Sequence, residues 1–136
     1  FEHKKAQLDK ASARLQELQM LAPRIRFALD DFGSNLNNLN RLRMWNISAI
    51  KLDRLLITDI DQDRKAQIMV KNLQKMACDL DILLIAEGVE TRAEEEALLD
   101  LEIFLQQGFL RAPPMSLDVF NSTNFAKHPQ EIIDAR

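Results

Sequence analysis

The chain of 136 residues holds a single cysteine, three glycines and four prolines, and its two signs of charge nearly balance. Each scarcity excludes something. A lone Cys78 cannot close an internal disulfide, and it falls in an apolar helical pattern. It reads as a reduced core residue of a cytoplasmic protein. Eighteen Lys and Arg stand against 21 Asp and Glu, a formal net charge of −3. No basic patch emerges, so a nucleic-acid polymer is not an expected partner. Nowhere do 18 uncharged apolar residues run together, which excludes a helical membrane span. The opening Phe1-Glu2-His3-Lys4-Lys5 is polar and lacks the form of a secretory signal. A first residue other than Met points to a piece of a longer protein. What is present is ordinary: 46% hydrophobic and 29% charged residues, enough apolar surface for one folded domain rather than a disordered chain.

Periodicity divides the chain into a leading helix over 1–22, four β/α units over 25–120 and a loosely structured tail over 121–136. Leu8, Ala11, Leu15 and Leu18 recur at helical spacing until Pro23 stops them. Ile25 to Leu29, Ile47 to Leu52, Ile82 to Ala86 and Ile103 to Gln107 are strand-length apolar runs. The third is continuously apolar, as a parallel strand buried on both faces would be. Between them, helical patterns cover Asn35–Arg43, Arg64–Leu80 and Thr91 to about Leu101. Thr91 and Glu94 stand at capping-box spacing. A last short helix follows Ser116. Alternation of this kind predicts an α/β fold with a parallel sheet covered by helices. A small open doubly wound sheet and half of a TIM-like (β/α)₈ barrel both fit, since a whole barrel takes about 250 residues.

All three glycines, Gly33, Gly88 and Gly108, come just after a predicted strand. Polar groups precede each of them: Asp30-Asp31, Glu87 and Gln107. The second strand ends in Lys51-Leu52-Asp53. Every strand therefore delivers an ionisable or amide side chain at its C-terminal end, the binding edge of barrels and open sheets alike. Adjacent carboxylates repel unless a cation lies beside them. Asp30, Asp31 and Glu87 would form an all-oxygen site suited to Mg²⁺ or Mn²⁺. Lys51 beside it would neutralise a phosphate or depress the pKa of a metal-bound water. The alternative is that the two aspartates cap the next helix and Lys51 pairs with them structurally.

Phe27-Ala-Leu-Asp-Asp-Phe-Gly33, Ile50-Lys-Leu-Asp53, Ile85-Ala-Glu-Gly-Val-Glu-Thr91 and Gln107-Gly-Phe-Leu110 with Pro113-Pro114 resemble, in order and spacing, the signatures of EAL domains. These are bacterial phosphodiesterases that hydrolyse cyclic di-GMP. The resemblance covers about 25–120, the C-terminal half of such a domain. It implies a (β/α)₈-type barrel with one reversed strand and a two-metal mechanism. In that mechanism a metal-bound water opens the ring to linear pGpG. By position, Asp30 would be a shared metal ligand, and Asp31 would serve the second metal or its water. Glu87 would ligate metal, and Lys51 would hold the attacking water and phosphate. Glu90 would support the site from the next turn, Asp53 would orient Lys51, and Gln107 would bind a water or the ligand. The remaining ligands, including the family's namesake Glu-Ala-Leu strand, belong to the other half.

Some features depart from the family. Ser34-Asn35-Leu36-Asn37-Asn38 replaces the usual loop after the Asp-Asp pair, and Glu102, Ile103 and Phe104 replace Gly-Cys-Asp. An inactive EAL-like module that senses cyclic di-GMP or binds a protein is therefore a second expectation. The Glu-Ala-Leu at 96–98 lies in a helix after Glu94 and Glu95 and reads as part of an exposed charged face. Asp59, Asp61 and Asp63 read as a solvated connection, Trp45 as a packing plug and the methionines as core filler. His3 and His128 read as surface residues, and Glu2 matches only loosely an acidic anchor of the family's dimerisation loop. Half a barrel leaves two open sheet edges. The expected partners are thus the missing N-terminal half or a second copy of the chain, as a homodimer.

Overall fold

Strand pairing in sequence order organises the molecule. The computed structural model describes residues 2–33 and 38–123; in 2–8 and at 38 it describes the backbone alone. The helix α1 (Glu2–Leu21) is followed by β1 (Ala28–Phe32), α2 (Asn38–Met44), β2 (Ala49–Leu52), a short 3₁₀ turn (Arg54–Leu56) and α3 (Arg64–Asp79). Then come β3 (Leu83–Glu87), α4 (Arg92–Asp100), β4 (Leu105–Gln107) and α5 (Leu117–Ser122). The four strands are all parallel and lie in the order β1-β2-β3-β4. This is the expected α/β architecture of roughly half a TIM-like barrel. The tail after 123 and the loop 34–37 lie outside the described residues, as do the side chains of Glu2, His3 and Leu8.

Alternation along the strands gives the sheet two unlike faces. Leu29, Phe32, Ile50, Leu52, Leu84 and Ala86 are buried on one face. They share a core with Val70 and Ala77 of α3 and Leu98 of α4. The opposite face carries Ala28, Ala49, Leu83, Ile85 and Leu105, and it stands open: Leu83 is 53% exposed and Leu105 44%. Trp45 plugs the contact with α1 as expected. Its ring packs on the core, and its indole N–H donates to Ser12 Oγ at 2.7 Å.

The strands begin later than their apolar runs. β1 starts at Ala28 rather than Ile25, and it runs on through Asp30 and Asp31. β4 starts at Leu105 rather than Ile103. Ile103 is 1% exposed but bonds the Leu98 carbonyl through its N–H. Apolar runs mark where side chains are buried, whereas a strand extends only where a partner backbone lies alongside.

Three other expectations are corrected. Cys78 is exposed. The buried stripe of α3 is Ala66, Val70 and Ala77, and the residue after Ala77 turns about 100° away from it. Met20, Met44 and Met69 are exposed, and only Met76 packs against the core. Glu94 and Glu95 are the reverse of a solvated face, at 5% and 2% exposure. Glu95 pairs with Arg111 and, at 3.4 Å, with Arg92, so its charge is matched inside the fold. Glu94 completes the capping box with Thr91. Its carboxylate accepts from the N–H groups of Glu90 (2.9 Å), Thr91 (3.0 Å) and Asp59 (3.2 Å). The acidic connection is thereby tied to α4, while Asp63 caps α3 by accepting from Lys65 and Ala66.

Burial pushes the Glu94 carboxyl up, but the three N–H donors outweigh it, and the group sits below its ordinary 4.5. Its contribution is therefore whole above that value and is lost as pH falls through the folded-state pKa. Glu94→Ala, which orphans three N–H groups, is expected to cost about 1–3 kcal/mol of unfolding free energy at neutral pH. The gap from the wild type should narrow below pH 4.5. Urea titrations across pH check both statements.

Candidate functional site

The C-terminal ends of the strands form one rim. Its main feature begins as a fault in the β1–β2 ladder. Leu29 pairs with Ile50 and Phe32 with Leu52, so Asp30 and Asp31 together stand opposite the single Lys51. This is a β-bulge, rare in parallel pairs and common beside functional sites. Asp31 takes the extra position with φ 52°, in the left-handed region where Asp is among the better tolerated residues. The bulge lets two consecutive side chains reach one place, which a regular strand forbids.

Glu87, the last residue of β3, joins them from across β2. Asp30, Asp31 and Glu87 each offer a carboxylate oxygen, and the three atoms lie within 4.8 Å of one another. Lys51 sits between. Its Nζ donates to Asp30 Oδ1 at 3.1 Å and pairs with Glu87 Oε1. The Glu87 carboxylate, helped by Asp30 and opposed by burial, raises the Lys51 ammonium above its ordinary 10.5. Hydrogen bonding from Lys51 holds the Asp30 carboxyl below its ordinary 3.8. The donor set is hard oxygen, and Asp30 and Asp31 are exposed on the open side. Such a set fits a divalent cation.

The other expected residues lie beside this cluster. Gln107 pairs in register with Glu87, one strand further along the rim. Its carbonyl accepts from Val89 N–H at 3.1 Å, which ties the turn after β3 to β4. The Asp53 carboxylate accepts from Leu55 N–H at 2.8 Å and caps the 3₁₀ turn. Glu90 pairs with Arg54 at 2.8 Å. Asp30, Asp31, Lys51 and Glu87 therefore form one cluster, and Asp53 and Glu90 engage the turn that follows β2. Sequence reasoning missed the bulge, although two aspartates ending an apolar run were its signal. It missed Arg54 altogether, because no local pattern links that residue to a glutamate after the next strand.

Comparison with known proteins gives the family and the fold. A family model described as "EAL domain" matches residues 1–114. The cyclic di-GMP phosphodiesterase PdeR of Escherichia coli is 36% identical over 106 residues, which are 78% of this chain and 16% of that protein. The crystal structure of an EAL domain protein from Listeria monocytogenes superposes with a TM-score of 0.76 at 27% identity, over 84% of this chain and 45% of the other. A manganese/cy-diGMP complex of BlrP1 from Klebsiella pneumoniae gives 0.61 at 37% identity, over 63% and 22%. The chain thus spans less than half the length of each.

With Asp30 depressed and Lys51 raised, the cluster's electrostatic support has two limits. It is whole between pH 3.8 and 10.5. It is lost in acid as pH falls through the folded Asp30 value, and in alkali as pH rises through that of Lys51. Lys51→Met is expected to move the Asp30 titration upward, as read from its carboxyl carbon by NMR. The variant's stability deficit should shrink at both extremes.

Proposed function

This chain belongs to the EAL domain family, and from that premise we propose that it forms the C-terminal half of a cyclic di-GMP phosphodiesterase site. With the rest of the barrel supplied, that site hydrolyses the cyclic dinucleotide to linear pGpG. The observation that carries the reading is the convergence of three carboxylate oxygens within 4.8 Å beside a lysine. Asp30, Asp31 and Glu87 would hold divalent ions, Mg²⁺ or Mn²⁺. Those ions, when bound, supply Lewis acidity for attack on a phosphodiester. Lys51 pairs with two of the carboxylates, Asp30 and Glu87. The Lys51 ammonium would hold a phosphate oxygen of the substrate. Gln107 extends the same rim with an amide able to bind the ligand or a water. Glu90 and Asp53 support the site through the turns they hold. No helix among the described residues is long and apolar enough to cross a membrane.

A second reading, binding of cyclic di-GMP or a partner protein without cleavage, is favoured by the ligand count. Three carboxylates are few for two hard ions that each take about six oxygen ligands. Catalysis therefore needs donors from beyond the described residues. The open face with Leu83 and Leu105, together with the free edges of β1 and β4, calls for a covering body. The missing N-terminal half, or a second copy forming a homodimer, would cover it.

Asp30→Asn is expected to weaken Mn²⁺ binding in calorimetry by about tenfold or more, while Asp59→Asn leaves it near wild type. Equal losses would remove Asp30 from the ligand set. Light scattering of the chain alone should give a dimer mass, and a clean monomer would count against the covering argument. Cyclic di-GMP turnover with Mg²⁺ or Mn²⁺ should appear only when the chain is joined to the preceding half of its domain. Binding without turnover in that longer protein would favour the second reading.

A further inference from the structure

Asp30 and Asp31 sit on β1 and Glu87 on β3, two strands that β2 keeps apart. The gap between the two parts of the carboxylate cluster must therefore be set by whatever spans β2. Lys51 spans it through charge. The 3₁₀ turn that follows β2 spans it through packing, just outside the cluster. The turn is fastened to the end of β1 by Asp53 N–H, which donates to the Phe32 carbonyl at 3.0 Å. Its last residue, Leu56, fills the space above Gly33, where a Cβ would collide with it. Its first residue, Arg54, does the same above Gly88, where a Cβ would lie 2.6 Å from Arg54 Cγ. The guanidinium then reaches past Gly88 to Glu90. Both glycines have positive φ, 113° and 75°, so each turn is a bend whose shape the packing above it decides.

We propose that Arg54 and Leu56 are positioning residues that brace the turns after β1 and β3 against each other and so set the carboxylate spacing for a divalent ion. The proposal rests on the metal-site reading given above. Arg54 pairs with Glu90 rather than with Glu87, and Leu56 is apolar. Leu56 acts on Asp31 through Gly33, and Arg54 acts on Glu87 through Gly88 and Glu90. A brace of this kind predicts communication across β2: loosening one turn disturbs the other. Purely local packing would disturb only the turn it touches.

The test combines amide NMR of the metal-free chain with Mn²⁺ calorimetry on wild type, Arg54→Ala, Arg54→Lys and Leu56→Ala. Arg54→Ala is expected to shift the amide signals of Asp31 to Gly33 as well as those of Gly88 to Glu90. Leu56→Ala should shift both sets in turn. Each alanine variant should weaken Mn²⁺ by about tenfold, the low end for residues that support ligands without binding metal. Arg54→Lys, which keeps the stem over Gly88 and a charge near Glu90, should stay within about threefold of wild type, inside the usual loss for such positions. Shifts confined to the turn that the replaced side chain touches would overturn the proposal, and so would unchanged affinity in both alanine variants. Cross-turn shifts in a chain whose wild type binds no Mn²⁺ would uphold the brace and bring down the metal reading instead. Should Arg54→Ala fail to fold, Arg54→Met keeps the stem, loses only the guanidinium, and yields the same two measurements.

Discussion

Three carboxylates held within 4.8 Å of one another repel, by about 3 kcal/mol per ionised pair at an effective dielectric of 20. A parallel sheet gains nothing from such crowding unless a cation stands in its midst. Lys51 is that cation. Its ammonium engages Asp30 from β1 and Glu87 from β3, so one side chain on the middle strand joins charges from both neighbours. The cluster thus holds three acids to one base, and on the reading proposed above that excess of acid is what would receive a metal ion. The exposure of Asp30, at 63% of its side chain, lets water carry part of the cost.

The bulge in β1 is the backbone's answer to the same problem. Regular alternation would send Asp30 to the open face and Asp31 into the core beside Leu29 and Phe32. An uncompensated carboxylate there would cost several kcal/mol (about that much for a buried ion even after relaxation). Inserting Asp31 as an extra residue with φ 52° removes that charge from the core, restores Phe32 to the buried face and doubles the carboxylates at the rim. Left-handed backbone at a non-glycine residue is a modest local strain, and strain of this kind collects at functional sites.

Much of this was legible in the residues. Helical and strand-length runs predicted the element order, the parallel sheet and the capping box at Thr91, because hydrophobic period and cap chemistry are local properties. The rim was legible too, since polar groups repeatedly end the apolar runs. What escaped were properties that depend on contacts between distant segments. Strand starts shifted to where a neighbour backbone was available, as Ile25 and Ile103 show. Glu94 and Glu95 looked like a solvated face because the groups that donate to and pair with them, Asp59 N–H and Arg111, come from other loops. The 3₁₀ turn that Asp53 and Glu90 engage also escaped, since no periodicity announces it.

The two faces of the sheet also explain why the charged rim and the open apolar surface belong together. Below the carboxylates, on the same face, lie Ala28, Ala49 and Leu83 in one row and Ile85 with Leu105 in the next. Small and branched apolar side chains in rows are what a barrel interior is made of, and polar groups at the strand ends are what its mouth is made of. On the reading proposed above, a body that covers the rows also lowers the dielectric beneath the mouth. Every charge interaction at Lys51 then strengthens without any change in its distance. On that reading fold completion and site electrostatics are one event: the apolar rows would supply the energy for docking the cover, and the cover would give the carboxylate cluster the environment in which its field matters.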